Sequence, residues 1–289
     1  MIAAKRAAQQ PWGPAAAALL IGTLAIGAAL LIPHAFSDPN SVDPNVIRLS
    51  AVAVILIAAA FLRASLAPAR PVLLALVAIT ASFSLLSGAP QLLNIVLGSR
   101  TPSPAAQVFW ASLAQLIVTL TVAGVAWRVL APALRPHLRL ARFGPTAAIA
   151  GVVGVALLVG VAMALPATLL GREGIQPVAV ARDLPWLGPA AVLQALSQEL
   201  QFRGLLMGAL ERVAPRWWAN LGQAAFFGLS HLAVSYQGPV GPFVPATIAF
   251  GLLLGWIVQR SQSLWPAVLI HAAGDIAITV AVLPGLYGY

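Results

Sequence analysis

The sequence predicts an all-α protein, a polytopic transmembrane bundle of about eight or nine spans with its N-terminus inside. Three observations predict it. Of 289 residues, 60% are hydrophobic and only 8% are charged, whereas a soluble domain is typically about a quarter charged. The apolar residues gather in runs long enough to cross a bilayer, parted by short polar turns. The basic residues alternate across those runs as a membrane topology requires.

The first run covers residues 14–35, behind Lys5 and Arg6. It exceeds the apolar core of a signal peptide and no convincing small-x-small cleavage site follows it, so a retained helix is expected. The turn residues 37–45 separate it from the second run, 46–66. The third run, 71–97, contains Gly88-Ala89-Pro90, where a kink or break is expected. The fourth and fifth are 105–130 and 146–170. After Gly171-Arg172-Glu173-Gly174, a loop carrying Arg182 and Asp183 is expected to lead to Trp186 and the sixth run, which ends near Leu210. The last three runs are 217–236, 243–258 and 264–286. Gly251 and Gly255 in the eighth form a GxxxG, which suits close packing within one subunit.

With the N-terminus inside, Lys5, Arg6, Arg63, Arg70, Arg128, Arg135, Arg139, Arg142, Arg212, Arg216 and Arg260 all fall inside. Only Arg48, Arg100, Arg172 and Arg182 fall outside. This distribution accounts for the net charge of +9 through topology, not nucleic-acid binding. Topology also suffices for the basic loop 128–142, although such a loop suits anionic lipid. The chain has no cysteine, which excludes disulfides, thiolate metal sites and a cysteine nucleophile.

Once loops and helix ends are set aside, the strongly polar residues within the runs are few, and all lie in the C-terminal third: Glu199, Arg203, His231, His271 and Asp275. Ionisable groups at membrane depth are costly unless paired, hydrated or used. Glu199 and Arg203 are four apart and face one another on a helix, so a purely structural ion pair accounts for them. Gln194, Gln198 and Gln201 form a second, uncharged stripe. His271 and Asp275 share a face, so the carboxylate is placed to orient the imidazole. Phe227, four before His231, reads as packing beneath that ring.

Gln198-Glu199-x-x-x-Arg203, then Phe227-x-x-x-His231, then His271-x-x-x-Asp275 resembles the motif series of the CPBP intramembrane proteases. These are the CAAX-processing and bacteriocin-processing enzymes, also called the Abi family and similar to Rce1. Arg203-Gly204-Leu205-Leu206 also looks like the family's continuation. The resemblance spans about residues 185–280, and divides the chain into variable N-terminal transmembrane helices, 1–184, and a catalytic core, 185–286.

The resemblance implies an endopeptidase that hydrolyses a peptide bond of a membrane-associated protein or peptide through an activated water. His231 would hold or deprotonate the water, His271 and Asp275 would stabilise the oxyanion, and Glu199 with Arg203 would support them. It implies a multi-pass protein of a bacterial plasma (inner) membrane, with no cofactor and no nucleic-acid partner. The departure is Gln198, where the family has its leading Glu. A carboxamide hydrogen-bonds water but takes no proton. Either His231 alone is the base, or Glu199 turns into the site, or the protein binds without cutting.

Three other readings compete. Zinc held by His231, His271, Glu199 and Asp275 is an acceptable donor set, but no His-Glu-x-x-His is present and Arg203 opposes a cation. A proton-coupled transporter uses buried Glu, His and Asp as a relay, yet the first five runs carry almost no ionisable groups. A non-catalytic binding or immunity protein on the protease scaffold is favoured by Gln198 alone.

Overall fold

A computed structural model describes residues 44–62, 67, 69–98, 103–132, 135–140, 143–164, 177–231 and 240–287. The first apolar run lies outside these residues. The described residues form helices α1 (Pro44–Leu62), α2 (Arg70–Leu97), α3 (Pro104–Val129), α4 (Pro145–Ala164), α5 (Pro177–Glu199), α6 (Met207–Leu210), α7 (Arg216–Ser230), α8 (Val240–Ser261) and α9 (Trp265–Tyr287). A π-helical stretch, Leu200–Leu206, joins α5 to α6 without a break. No strand occurs among the described residues.

The apolar runs of the sequence thus become helices, with two corrections. The segment with Arg182 and Asp183 is not a loop: α5 begins at Pro177 and contains both, along with Pro185 and Pro189. Arg182 is satisfied locally, reaching Asp183 at 2.9 Å, so neither charge needs a loop. The boundary between residues 184 and 185 falls inside this helix. The expected break at Gly88-Ala89-Pro90 does not interrupt α2, which is helical from Arg70 to Leu97. Ser103 caps α3 by accepting from the Ala106 N–H, and Pro104 opens the helix.

Packing runs from α1 to α2, α3, α5, α9 and α4, with the α7–α8 pair set against the π-helical stretch. The main apolar cluster lies between α2, the π stretch, α7, α8 and α9, around Leu76, Ile79, Phe202, Met207, Phe227 and Leu254. Polarity is distributed inside out. Thr80, Ser82, Ser112, Gln115, Thr119 and Gln201 are buried, while Val54, Ile117, Val152 and Leu157 face outward, Val152 at 67% exposure. An outer surface of this kind suits hydrocarbon. The spans Ala105–Val129 and Val244–Ser261 are long and apolar enough to cross a membrane, with mean hydropathies of 1.9 and 1.2.

Three segments that the charge pattern places on one side do meet at one end of the bundle. Glu211, after α6, takes Arg139 from the α3–α4 connection and the side-chain amide of Gln259 from α8. Arg216 donates to the Gln259 carbonyl, Arg212 to the Arg135 carbonyl, and Trp265 Nε1 to the Leu140 carbonyl. This basic end anchors the helices that carry the ionisable residues.

Candidate active site

Glu199 is the last residue of α5, and Arg203 lies in the π-helical stretch that follows. π-Helical turns are rare and cluster at functional positions. Arg203 Nη1 donates to Glu199 Oε1 at 2.8 Å, and both side chains have no exposure. Arg203 reaches two further helices: Nη2 donates to the Gly251 carbonyl of α8 at 3.3 Å, and the guanidinium lies 4.5 Å from the ring centre of Phe227 on α7. The pair therefore ties three elements together, as a structural ion pair would.

That pair has a third member. His271 Nδ1 donates to the same Glu199 Oε1 at 2.7 Å. His271 stands on α9, about 9 Å along the helix from Trp265 at 1.5 Å per residue. Asp275 lies one turn further, its Oδ1 3.6 Å from His271 Nε2, which is beyond hydrogen-bonding distance. The carboxylate that orients His271 is accordingly Glu199, not Asp275 as helical spacing suggested. The tertiary contact is the shorter of the two. Glu199 Oε2 and Asp275 Oδ2 are buried and unpartnered among the described residues.

His231 caps α7 and is half-buried. Its Nδ1 lies 2.7 Å from the Phe227 carbonyl. A carbonyl only accepts, so Nδ1 carries the hydrogen and the neutral ring holds its lone pair on Nε2. Phe227 does pack beneath this imidazole, at 4.7 Å between ring centres, and it also meets the His271 ring edge-on at 5.5 Å. Phe202 closes the group on one side and Phe250 on the other. One ring thus spaces both histidines and the guanidinium.

Gln198 is buried, with its Oε1 unpartnered among the described residues. Gln201, in contrast, is used structurally. Its Nε2 lies within hydrogen-bonding reach of Ser82, Thr119 and Ser197, which binds α2 and α3 to the site helix.

With this geometry in view, residues 180–277 match the family model described as type II CAAX prenyl endopeptidase Rce1-like. The segment resembles that family. No curated protein and no solved structure matches the chain. The matched segment contains every one of Gln198, Glu199, Arg203, Phe227, His231, His271 and Asp275.

Zinc does not fit these residues. Among the described residues, no three of His, Asp and Glu are disposed to hold a metal ion. The Glu199 oxygen best placed to share a cation with His271 already accepts from Arg203.

Sequence reasoning missed Phe202, Phe250, Gln223 and the Gly251 carbonyl. That carbonyl takes Arg203 Nη2 and also Gln223 Nε2, the latter at 2.9 Å. The GxxxG was the available signal. A Cβ at Gly251 would stand 3.2 Å from Ala224 and Phe227, and one at Gly255 would collide with Asn220 and Gln223. The motif packs α8 on α7 within one subunit and bares a carbonyl for the arginine.

Proposed function

We propose that the protein is an intramembrane endopeptidase that hydrolyses a peptide bond of a membrane-associated protein or peptide. The observation that carries this reading is the fixed group Arg203–Glu199–His271, with His231 held against the same Phe227 ring. His231 Nε2 takes a proton from the attacking water as the water oxygen bonds to the substrate carbonyl carbon. Gln198 Oε1 accepts the water's other hydrogen. His271, oriented by Glu199, and Asp275 serve the oxyanion side. The proton on His231 passes to the amide nitrogen as the carbon–nitrogen bond breaks. The core 185–286 carries this chemistry inside a multi-pass bundle of eight or nine spans, with the N-terminus and the basic end on the inner face of a plasma membrane.

A second reading rests on one residue. Gln198 supplies no base, which favours a scaffold that binds substrates without cutting them. Comparing peptide termini of membrane and secreted proteins from cells carrying the wild type, His231→Ala or Gln198→Glu separates the two. Termini present in the wild type and lost in His231→Ala support the peptidase. Identical termini in those two, with new ones in Gln198→Glu, support the disarmed scaffold.

A further inference from the structure

Helices α3 and α5 pack side by side and run in the same direction. Thr119 Oγ1 meets Ser197 Oγ at 2.8 Å, and one end of the contact is marked by Phe109 against Trp186, with ring centres 5.7 Å apart. Thr119 and Ser197, which face one another there, each lie on a polar stripe of their own helix. On α3 the stripe is Ser112, Gln115 and Thr119, at i, i+3 and i+7; on α5 and the π stretch it is Gln194, Ser197, Gln198 and Gln201. Gln115 has no exposure, yet both its Nε2 and its Oε1 lack a partner among the described residues. Gln198 Oε1 and Gln201 Oε1 are equally buried and equally unpartnered.

Buried amides left without partners are costly, and native interiors satisfy such groups with protein or with ordered water. The unpartnered set here is three acceptors and one amide donor, all neutral. That is the complement of water, which donates twice and accepts twice. It does not suit a cation, for want of a carboxylate, nor an anion, for want of a positive charge. Gln115 is level with the turn of α5 that carries Gln194, which is half-buried. Gln198 adjoins Glu199 at the other end.

We propose that the α3–α5 seam is a water-binding site, a file of ordered waters held by Gln115, Gln198 and Gln201 that runs from Gln194 to Gln198. Its use as a supply line for the hydrolytic water rests on the peptidase reading; its existence does not. The polar stripe on α3 then has a function that helix packing alone does not give it.

The absence of cysteine from the chain makes a clean test possible. Gln115→Cys and Leu76→Cys each place one thiol at a fully buried position, the second in the apolar cluster. The full-length protein in membranes is exposed to silver ion, then unfolded and labelled with a maleimide. Silver reacts with the ionised thiol, which needs a hydrated setting. Silver should block Gln115→Cys faster than Leu76→Cys by an order of magnitude or more; equal rates would overturn the proposal. A second measurement guards against misfolding. In a dry seam, Gln115→Met removes an unsatisfied amide and raises Tm, which also overturns the proposal. With water satisfying the amide, Tm stays level or falls. Neither readout needs proteolysis, so a failed peptidase assay leaves both intact.

Discussion

Glu199 and His271 lie 72 residues apart in the chain and are joined by a hydrogen bond of 2.7 Å from Nδ1 to Oε1. The same oxygen accepts from Arg203 at 2.8 Å. Removing Arg203 leaves a buried carboxylate with an imidazole as its remaining partner. Arg203→Ala should therefore lose about 3–5 kcal/mol of stability and accumulate poorly, which thermal unfolding and membrane abundance both read. Normal accumulation would show that the pair is hydrated in the membrane.

His231→Ala and His271→Ala should each abolish cleavage while leaving insertion and abundance near wild type. After His271→Ala the buried Glu199 keeps Arg203 as its counter-charge, so the loss falls on chemistry. A terminus-specific cleavage assay alongside quantitative blotting checks both. Retained cleavage in His231→Ala would remove it from the role of base.

Phe227 touches Phe202, Arg203, His231 and His271. Phe227→Ala should cost about 3–5 kcal/mol. Phe227→Leu keeps much of the volume and should fold, but it lacks the flat face that spaces the two imidazoles. For Phe227→Leu, kcat should fall with KM little changed, and equal kcat would reduce the ring to filler.

Gln198→Glu restores a carboxylate at the position where the resembled family has one. A general base typically contributes about 10²–10⁴-fold in rate, and on the peptidase reading His231 already supplies part of this in the wild type. The variant should raise kcat towards the low end of that range, measured on whichever substrate the terminus comparison yields.

Gly255→Leu should prevent α8 from closing on α7, because even a Cβ there collides with Asn220 and Gln223. Overpacking of this kind costs about 1–3 kcal/mol. Arg203 would also lose the Gly251 carbonyl, so destabilisation and loss of cleavage should appear together. Gly98→Ala, with nothing near its Cβ but a φ of +52°, should cost stability alone.

The helical runs were legible because hydropathy over a span-length window is a sum over many residues. The ion pair was legible because i,i+4 spacing is a local property of one helix. The same local rule misled at His271, where Asp275 was the neighbour in sequence but Glu199 proved to be the partner in space. The π-helical stretch had no signal in spacing, since Leu200–Leu206 reads as an ordinary apolar helix with Arg203 and Gly204 inside it. At Arg182 and Asp183, adjacent charges suggested a loop, but the two residues pair with one another and leave the helix intact. The role of Gly251 was half legible: close packing followed from GxxxG, the exposed carbonyl did not.

The pairing of Glu199 with Arg203 on one continuous helical segment bears on how the chain is made. Synthesis completes both residues well before His271 exists. Because each is within reach of the other without any partner helix, the segment folds with its opposite charges already matched. Phe227, His231, Gly251 and finally His271 arrive later and in order, each meeting a carboxylate–guanidinium unit that is already formed. The ribosome thus delivers the centre of the site first and its surroundings afterwards.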